Sequence, residues 1–356
     1  MDDLKLFKGK KVFLTGHTGF KGSWMLLVLN KLGAITKGYA LEPETSLDLY
    51  HQIKGDNYCD STIADIRNLR ELNNQILAFE PDFIFHFAAQ PLVRKSYELP
   101  YYTYEVNVTG TINLLETLRN LNKKCTCIVV TTDKVYENKE NGAAYAETDS
   151  LGGYDPYSAS KAAAEIVVQS YRLSFFPAEK FTEHRKSLCT ARAGNVIGGG
   201  DFAADRIIPD FVKAMMKNEP LLVRNPDAVR PWQHVLEPLS GYLLLAAKCY
   251  QEPGVYEGAY NFGPEENDFL TVKELAEECF KTWQSGSLRI AKLANQPHEA
   301  NLLNLSINKA KEKLGWKPRY ESREAIKLTI EWYKDINTQA LTKCNRQIDN
   351  FFNLNA

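Results

Sequence analysis

The segment GGYDPYSASK places Tyr157 four residues before Lys161. Residues at i and i+4 of a helix share a face, so a phenol and an ammonium at this spacing are neighbours. A nearby cation favours the phenolate and lowers the tyrosine pKa, which makes Tyr157 a proton acceptor for a sugar or alcohol hydroxyl. Alone, such a pair is equally a surface Tyr and a surface Lys. Upstream, the apolar run CTCIVV ends in Thr131-Thr132-Asp133-Lys134. Thr132 is placed to hydrogen-bond the same hydroxyl as Tyr157. Asp133 and Lys134 read either as solvated loop charges or, more sharply, as working groups at a strand end.

Positioning these groups takes a sheet whose strand ends converge on one helix. KKVFLTG reads as a short apolar strand, SWMLLVLNKLG as an apolar helix closed by Gly33, and ITKGYAL as a second strand. LRELNNQILAFEP has helical spacing at Leu69, Leu72, Ile76, Leu77 and Phe79, then stops at Pro81. FIFHFAA, CTCIVVTT and KSLCTARAG read as buried strands, separated by the helix TGTINLLETLRNL and by one beginning near Ser158. This alternation predicts an α/β chain with a Rossmann-type doubly wound parallel sheet. Beyond Gly198 come Gly/Asp/Pro-rich connections and helices around 208–217, 235–250, 271–283 and 323–334. The expected organisation is an NAD-binding domain over 1–197 and a smaller, mainly helical C-terminal substrate-binding domain over 198–356, with elements of the two interleaved.

The first strand runs into Gly16-His17-Thr18-Gly19-Phe20-Lys21-Gly22. Glycines between a strand and a helix let the backbone turn sharply and approach a pyrophosphate, while the helix N-terminus offers unpaired N–H groups. The spacing is G-x-x-G-x-x-G, not G-x-G-x-x-G, so the strand-turn-helix context carries the reading. Without a ligand it is only a left-handed turn. Gly16, Thr18, Gly19, Phe20, Lys21 and Gly22 are the candidate cofactor contacts of this loop. At other strand ends, Asp65 can accept a hydrogen bond from an adenine amino group, with Ile66 beside it. Ala88, Ala89 and Gln90 offer a close approach for ribose or nicotinamide, and Asn107 completes the set. Glu42 follows the second strand and no Arg does, which favours NAD over NADP, although Lys21 can still reach a phosphate.

With 43 basic and 44 acidic residues the net charge is -1, so neither nucleic acid nor an anionic membrane is favoured as a partner. The runs SWMLLVLN and GYLLLAA are too short to span a bilayer, and MDDLKLFKGKK has no signal-peptide h-region. A cytoplasmic location is expected. The seven cysteines are scattered without CxxC pairs, Cys125 and Cys127 read as strand packing, and no metal site is expected.

GHTGFKG, HFAAQPLVRKSY, TTDKVYEN, GGYDPYSASK, ARAGNVIGGGD, DRIIPD and NPDAVRPWQHVLEPLSGYL together resemble the CDP-glucose 4,6-dehydratases. These form a branch of the extended short-chain dehydrogenase/reductase superfamily, and the likeness runs from about residue 9 to 335. It implies an NAD-dependent lyase converting CDP-glucose to CDP-4-keto-6-deoxyglucose and water, for deoxysugars of bacterial surface polysaccharide such as lipopolysaccharide O-antigen. It also implies a helix-packed homodimer. In that chemistry Tyr157, with Thr132 and Lys161, removes the 4-hydroxyl proton as hydride leaves C4. The 4-ketone acidifies C5–H, water leaves C6, and hydride returns to C6.

Asp133 and Lys134 then become the elimination pair, where many related sugar-nucleotide dehydratases carry Asp–Glu. Asp133 can protonate the departing hydroxyl only with a raised pKa, and Lys134 can deprotonate C5 only with a depressed one. Each charge pulls the other the opposite way, so burial decides, and the division of labour stays open. Asn195, Arg206, Arg230 and His298 lie in segments resembling the nucleotide-sugar pocket, and an Arg fork suits phosphate oxygens. Each Arg is equally a surface ion pair, and His298 equally a plain surface His. Trp232 and Trp316 read as packing. Phe202 stands where the family pattern has Trp, and Thr132 where it often has Ser; both bear on base and sugar preference. Two rival readings remain. A 4-epimerase has no use for Asp133-Lys134, and a non-catalytic NAD-binding regulator need not keep Thr132, Tyr157 and Lys161.

Overall fold

Apolar strands hidden on both faces need helices above and below them. A computed structural model describes residues 2–139, 142–290, 303–335 and 337–354. Its main sheet is built from β1 (Lys11–Thr15), β2 (Ile35–Ala40), β3 (Asp60–Ile63), β4 (Phe83–His86), β5 (Cys125–Val130), β6 (Lys186–Ala193) and β7 (Gly258–Phe262). The seven strands lie in the order β7-β6-β5-β4-β1-β2-β3, and every pairing is parallel. The flanking helices are α1 (Phe20–Lys31), α2 (Leu69–Phe79), α3 (Gly110–Asn120), α4 (Pro156–Ser174) and α5 (Leu236–Gln251).

The two-residue period of the strands separates two cores. Leu14, Phe85, Ile128 and Val130 pack with Trp24 and Leu26 of α1 and Leu239 and Leu243 of α5. Phe13, Ile84, Cys127 and Val129 pack with Ile76 of α2, Leu114 of α3 and Val168 of α4. The chain winds outward from β1 to β3, then resumes on the other side at β4. The crevice above β1 and β4 is the topological switch point, where ligands of open α/β sheets bind.

The expected helices beyond residue 198 occur as Ile207–Met216, Leu236–Gln251, Val272–Trp283 and Ser322–Lys334. Of three further elements, two carry no sequence-based expectation and β3 only the strand end read at Asp65. β3 has the polar sequence DSTI and half-exposed residues, so it shows no apolar alternation. β7 extends the main sheet although it lies far beyond residue 198, and α5 covers that sheet. A C-terminal helix, Ala340–Phe352, packs Cys344, Ile348 and Phe351 into the first core. Its Lys343 ammonium donates to the carbonyls of Trp332 (2.7 Å) and Asp335 (2.8 Å). Among the described residues no helix is long and apolar enough to cross a membrane.

Candidate active site

Thr15, at the end of β1, ties the switch point together. Its hydroxyl bonds His86 Nδ1 at 2.7 Å and accepts the N–H groups of Phe87 and Ala88, both at 3.1 Å. Gly16 follows at φ +74°, and a Cβ there would stand 2.7 Å from the Ala88 nitrogen. At Gly22 a Cβ would stand 2.1 Å from the Gly16 carbonyl oxygen, so α1 seats directly on the loop. Gly19 caps α1 with no side-chain hydrogen bond, leaving first-turn N–H groups to an anionic ligand. This cradle, whose space a Cβ would fill, fits the pyrophosphate of a dinucleotide. Thr18 braces it by donating to the Leu41 carbonyl at 2.9 Å, and the Phe20 ring lies against Gly198.

Lys21 of the loop feels the charges of the cleft. Burial, with help from Arg206 and Lys161, pulls its pKa down to about 8, while Asp133 and Asp201 oppose the shift. Its ammonium therefore sits among the reacting groups. Asp65 is committed to a neighbour: it accepts the backbone N–H of Arg67 (2.9 Å) and pairs with that guanidinium (2.7 Å). Those bonds hold its carboxyl below the usual range. The adenine acceptor expected at Asp65 is thus an ion pair in this structure, and Ile66 is buried in the second core. Asn107 lies on a π-turn over Glu105–Thr109. It accepts the Gln90 N–H (2.8 Å) and donates to the Gln90 carbonyl (3.1 Å) and to Ser160 Oγ (2.8 Å). It thereby joins the strand end carrying Ala88, Ala89 and Gln90 to α4.

Asp155 starts α4 by accepting from the Ser158 N–H (2.9 Å) and hydroxyl (2.6 Å), with Pro156 at the first helical position. Tyr157 then meets the hydroxyl of Thr132, and Lys161 Nζ donates to the Val130 carbonyl at 2.8 Å. The expected depression of the Tyr157 pKa is reversed. Burial pushes the phenol up to about 12, Asp133 adds to the rise, and the cation acting against it is Arg206. Burial also pulls Lys161 down to about 8, against Glu165.

Asp133 is 3% exposed. One carboxylate oxygen accepts from Thr132 Oγ1 at 2.9 Å. The other lies against Gly194, where a Cβ would stand 2.8 Å away. Burial raises the Asp133 pKa, outweighing Lys134, Thr132, Arg230 and Lys21. For Asp133, burial wins over the pull of the adjacent cation. Lys134 is half-buried next to it, its backbone N–H directed at Thr132 Oγ1.

On the facing side, Arg206 pairs with Asp201 at 2.7 Å. Arg230 donates to the Val229 carbonyl at 2.9 Å and acts electrostatically on Asp133. Asn195 Nδ2 is buried without a protein partner. His298 lies outside the described residues. Trp232 and Trp316 are buried in the first core, and Phe202 stands edge-on to Tyr333 with ring centres 5.7 Å apart.

Sequence reasoning missed Gly194, Tyr242 and the buried pair Glu165–Arg192. Tyr242 on α5 packs on Phe87 and Phe262, and its buried hydroxyl has no protein partner and lies near Tyr157 and Asp133. Neither Gly194 nor Tyr242 has a local signal, because each reaches the site only through the fold. Glu165 had one, since it stands four residues after Lys161 on the same helix face.

A family model described as GDP-mannose 4,6 dehydratase matches residues 13–329. The chain belongs to the GDP-mannose 4,6 dehydratase family. Within reach of this member of the family is the CDP-glucose 4,6-dehydratase of Salmonella typhimurium, 44% identical over 334 residues, covering 94% of this chain and 93% of the relative. Two solved structures share the fold. The Thermus thermophilus UDP-glucose 4-epimerase complex with NAD is 23% identical, with a TM-score of 0.78 and coverage of 92% of this chain and 99% of that one. The Bacillus anthracis dTDP-glucose 4,6-dehydratase complex with NAD is 21% identical, with a TM-score of 0.75 over 92% of this chain and 98% of that one.

Proposed function

We propose that this family member is an NAD-dependent lyase that converts CDP-D-glucose to CDP-4-keto-6-deoxy-D-glucose and water. The observation that carries the reading is a buried carboxyl with a raised pKa, Asp133, hydrogen-bonded to the Thr132 that also serves Tyr157. The likeness to the Salmonella typhimurium CDP-glucose 4,6-dehydratase supports the choice of substrate.

Gly16, Gly19 and Gly22 with the first turn of α1 hold the pyrophosphate, and Ala88 to Gln90 line the path toward the nicotinamide. NAD bound there accepts hydride from C4 and returns it at C6. Tyr157, through Thr132, takes the proton of the 4-hydroxyl; Lys161 and Arg206 supply the positive charge that favours this transfer. Once C4 is a ketone, the C5 proton is acidic. Asp133 gives a proton to the departing 6-hydroxyl, and a base of the site, with the neutral form of Lys134 the candidate, takes the C5 proton, so carbon, oxygen and charge balance with the loss of one water. A 4-epimerase needs neither step. Asn195, Arg206 and Arg230 offer donors to the diphosphate. Exposed Glu42 after β2 disfavours a 2′-phosphate, hence NAD over NADP.

The product serves cytoplasmic deoxysugar synthesis for surface polysaccharide. The exposed Ile166, Leu173 and Phe175 of α4 and its C-terminus, with Tyr101 and Tyr104, suit a homodimer contact. Incubating the purified protein with a panel of nucleotide-glucoses tests the function: CDP-glucose should give a product lighter by one water. Isomerisation without mass change would overturn the reading, and sedimentation as a monomer would remove the dimer.

A further inference from the structure

Three polar side chains follow one another at successive turns of α4, and each meets the end of β5. Tyr157 meets Thr132, Lys161 the Val130 carbonyl, and Glu165 the Thr131 hydroxyl at 2.5 Å. The first two belong to the reaction above. Glu165 does not reach the cleft; it is buried, and both its oxygens are occupied. Besides Thr131, it accepts from Thr190 Oγ1 (2.7 Å) and from Arg192 through Nε (3.0 Å) and Nη2 (2.9 Å). Arg192 also donates to the Tyr136 hydroxyl (2.7 Å), which donates in turn to Asn261 Oδ1 on β7 (2.7 Å). Taking two charges this deep is costly, and apolar residues of the same shape often serve stability as well. Packing alone does not call for this pair.

We propose that Glu165 is a positioning residue, clamped by Thr131, Thr190 and Arg192 so that it locks α4 in register on β5 and keeps a fixed negative charge one turn from the Lys161 ammonium. The other groups around Lys161 do not supply that charge. Lys21 from α1 is a like charge, buried His86 from β4 is held neutral, and Arg192 from β6 is a like charge bound to Glu165 itself. Burial has already drawn Lys161 down, with Glu165 opposing it. Removing the carboxylate therefore makes Lys161 lose its proton at lower pH.

The inference rests on the assignment of Lys161 to the reaction. The test measures kcat and KM against pH, with CDP-glucose, for full-length Glu165→Gln. Its alkaline limb should move down by about one to two pH units, as expected for a charge about one helical turn away. At the wild-type midpoint kcat should fall about tenfold, with KM changed less than about twofold. If an unpaired Arg192 unfolds that variant, Glu165→Gln with Arg192→Met keeps the hydroxyl contacts without charge, and a shift in the same direction is expected, smaller because a positive charge leaves with the negative one. A folded variant with the wild-type profile, or one that loses only thermal stability, overturns the proposal. Failure of both variants to fold overturns it as well, because the pair is then a folding determinant. Lys161→Met in the same assay separates the two readings: if it stays active, the site assignment fails; if it alone is inactive, only the role of Glu165 fails.

Discussion

Replacing Gly194 with Ala presses first on the acid of the site. Gly194 has no left-handed φ, so its backbone accepts a side chain. The new Cβ would stand 2.8 Å from the Asp133 oxygen, against about 3.4 Å for ordinary contact, with Pro231 Cγ at 3.2 Å on the other side. The carboxyl must retreat by about 0.6 Å, pivoting on its bond to Thr132, because the pocket is close-packed. A displacement approaching about 1 Å in a catalytic group costs up to roughly 10²-fold, so dehydration should slow by about 10- to 100-fold. That corresponds to about 1.4–2.7 kcal/mol of transition-state stabilisation. Oxidation at C4 should change by less than about threefold, since Tyr157 and Lys161 stay in place. Rapid mixing with CDP-glucose, read at the reduced-nicotinamide band and by mass of the quenched product, resolves both steps. Reduced nicotinamide should accumulate. An unchanged dehydration rate, or an equal loss of both steps, would refute the placement of Asp133 as the acid.

Tyr157→Phe should keep the fold and cofactor binding yet form no reduced nicotinamide; near-wild-type turnover at saturating substrate would contradict its role. Lys134→Met should form the 4-keto nucleotide but lose water roughly 10²–10⁴-fold more slowly, with solvent-deuterium exchange at C5 slowed alongside if Lys134 is the base. Calorimetry on cofactor-stripped protein should give weaker binding for NADP than for NAD, and equal affinities would remove the argument from Glu42. Burial holds His17, His86 and His234 neutral, at about 4, 3 and 4, against 6.5 when unfolded. Their contribution is complete above the unfolded value and is lost as pH falls toward the folded ones. His234→Asn should flatten the acid-side dependence of urea-unfolding free energy by about 1.4 kcal/mol per pH unit; an identical slope would count against it.

The groups that announce themselves in sequence are those whose partners are close along the chain. Tyr157 and Lys161, the loop from Gly16 to Gly22, and the Asp133-Lys134 pair are of this kind. What adjacency leaves open is the sign of a pKa shift, because burial is a property of the whole fold. Tyr157 illustrates this: the local cation promises a lowered pKa, and its buried position raises it. The contact of Asp133 with Gly194, and the reach of Tyr242 from α5, depend on long-range packing with no periodic signature. β3 was legible only as a strand end at Asp65, because a short polar edge strand lacks the alternation of a half-buried one. Asp65 is a different case, since its partner Arg67 stands only two residues away and was legible.

β7 carries a consequence for how the chain comes into being. Synthesis delivers β6 long before Gly258–Phe262, so a nascent chain holds every residue of the nucleotide cradle while β6 still ends in an open row of N–H and C=O groups. Until α5 has also emerged, the apolar side of β5 and β6 is bare. Completion of the first half of the molecule waits on the second. A polypeptide cut after residue 197 should therefore associate through that edge, while the intact chain closes it with its own later segment.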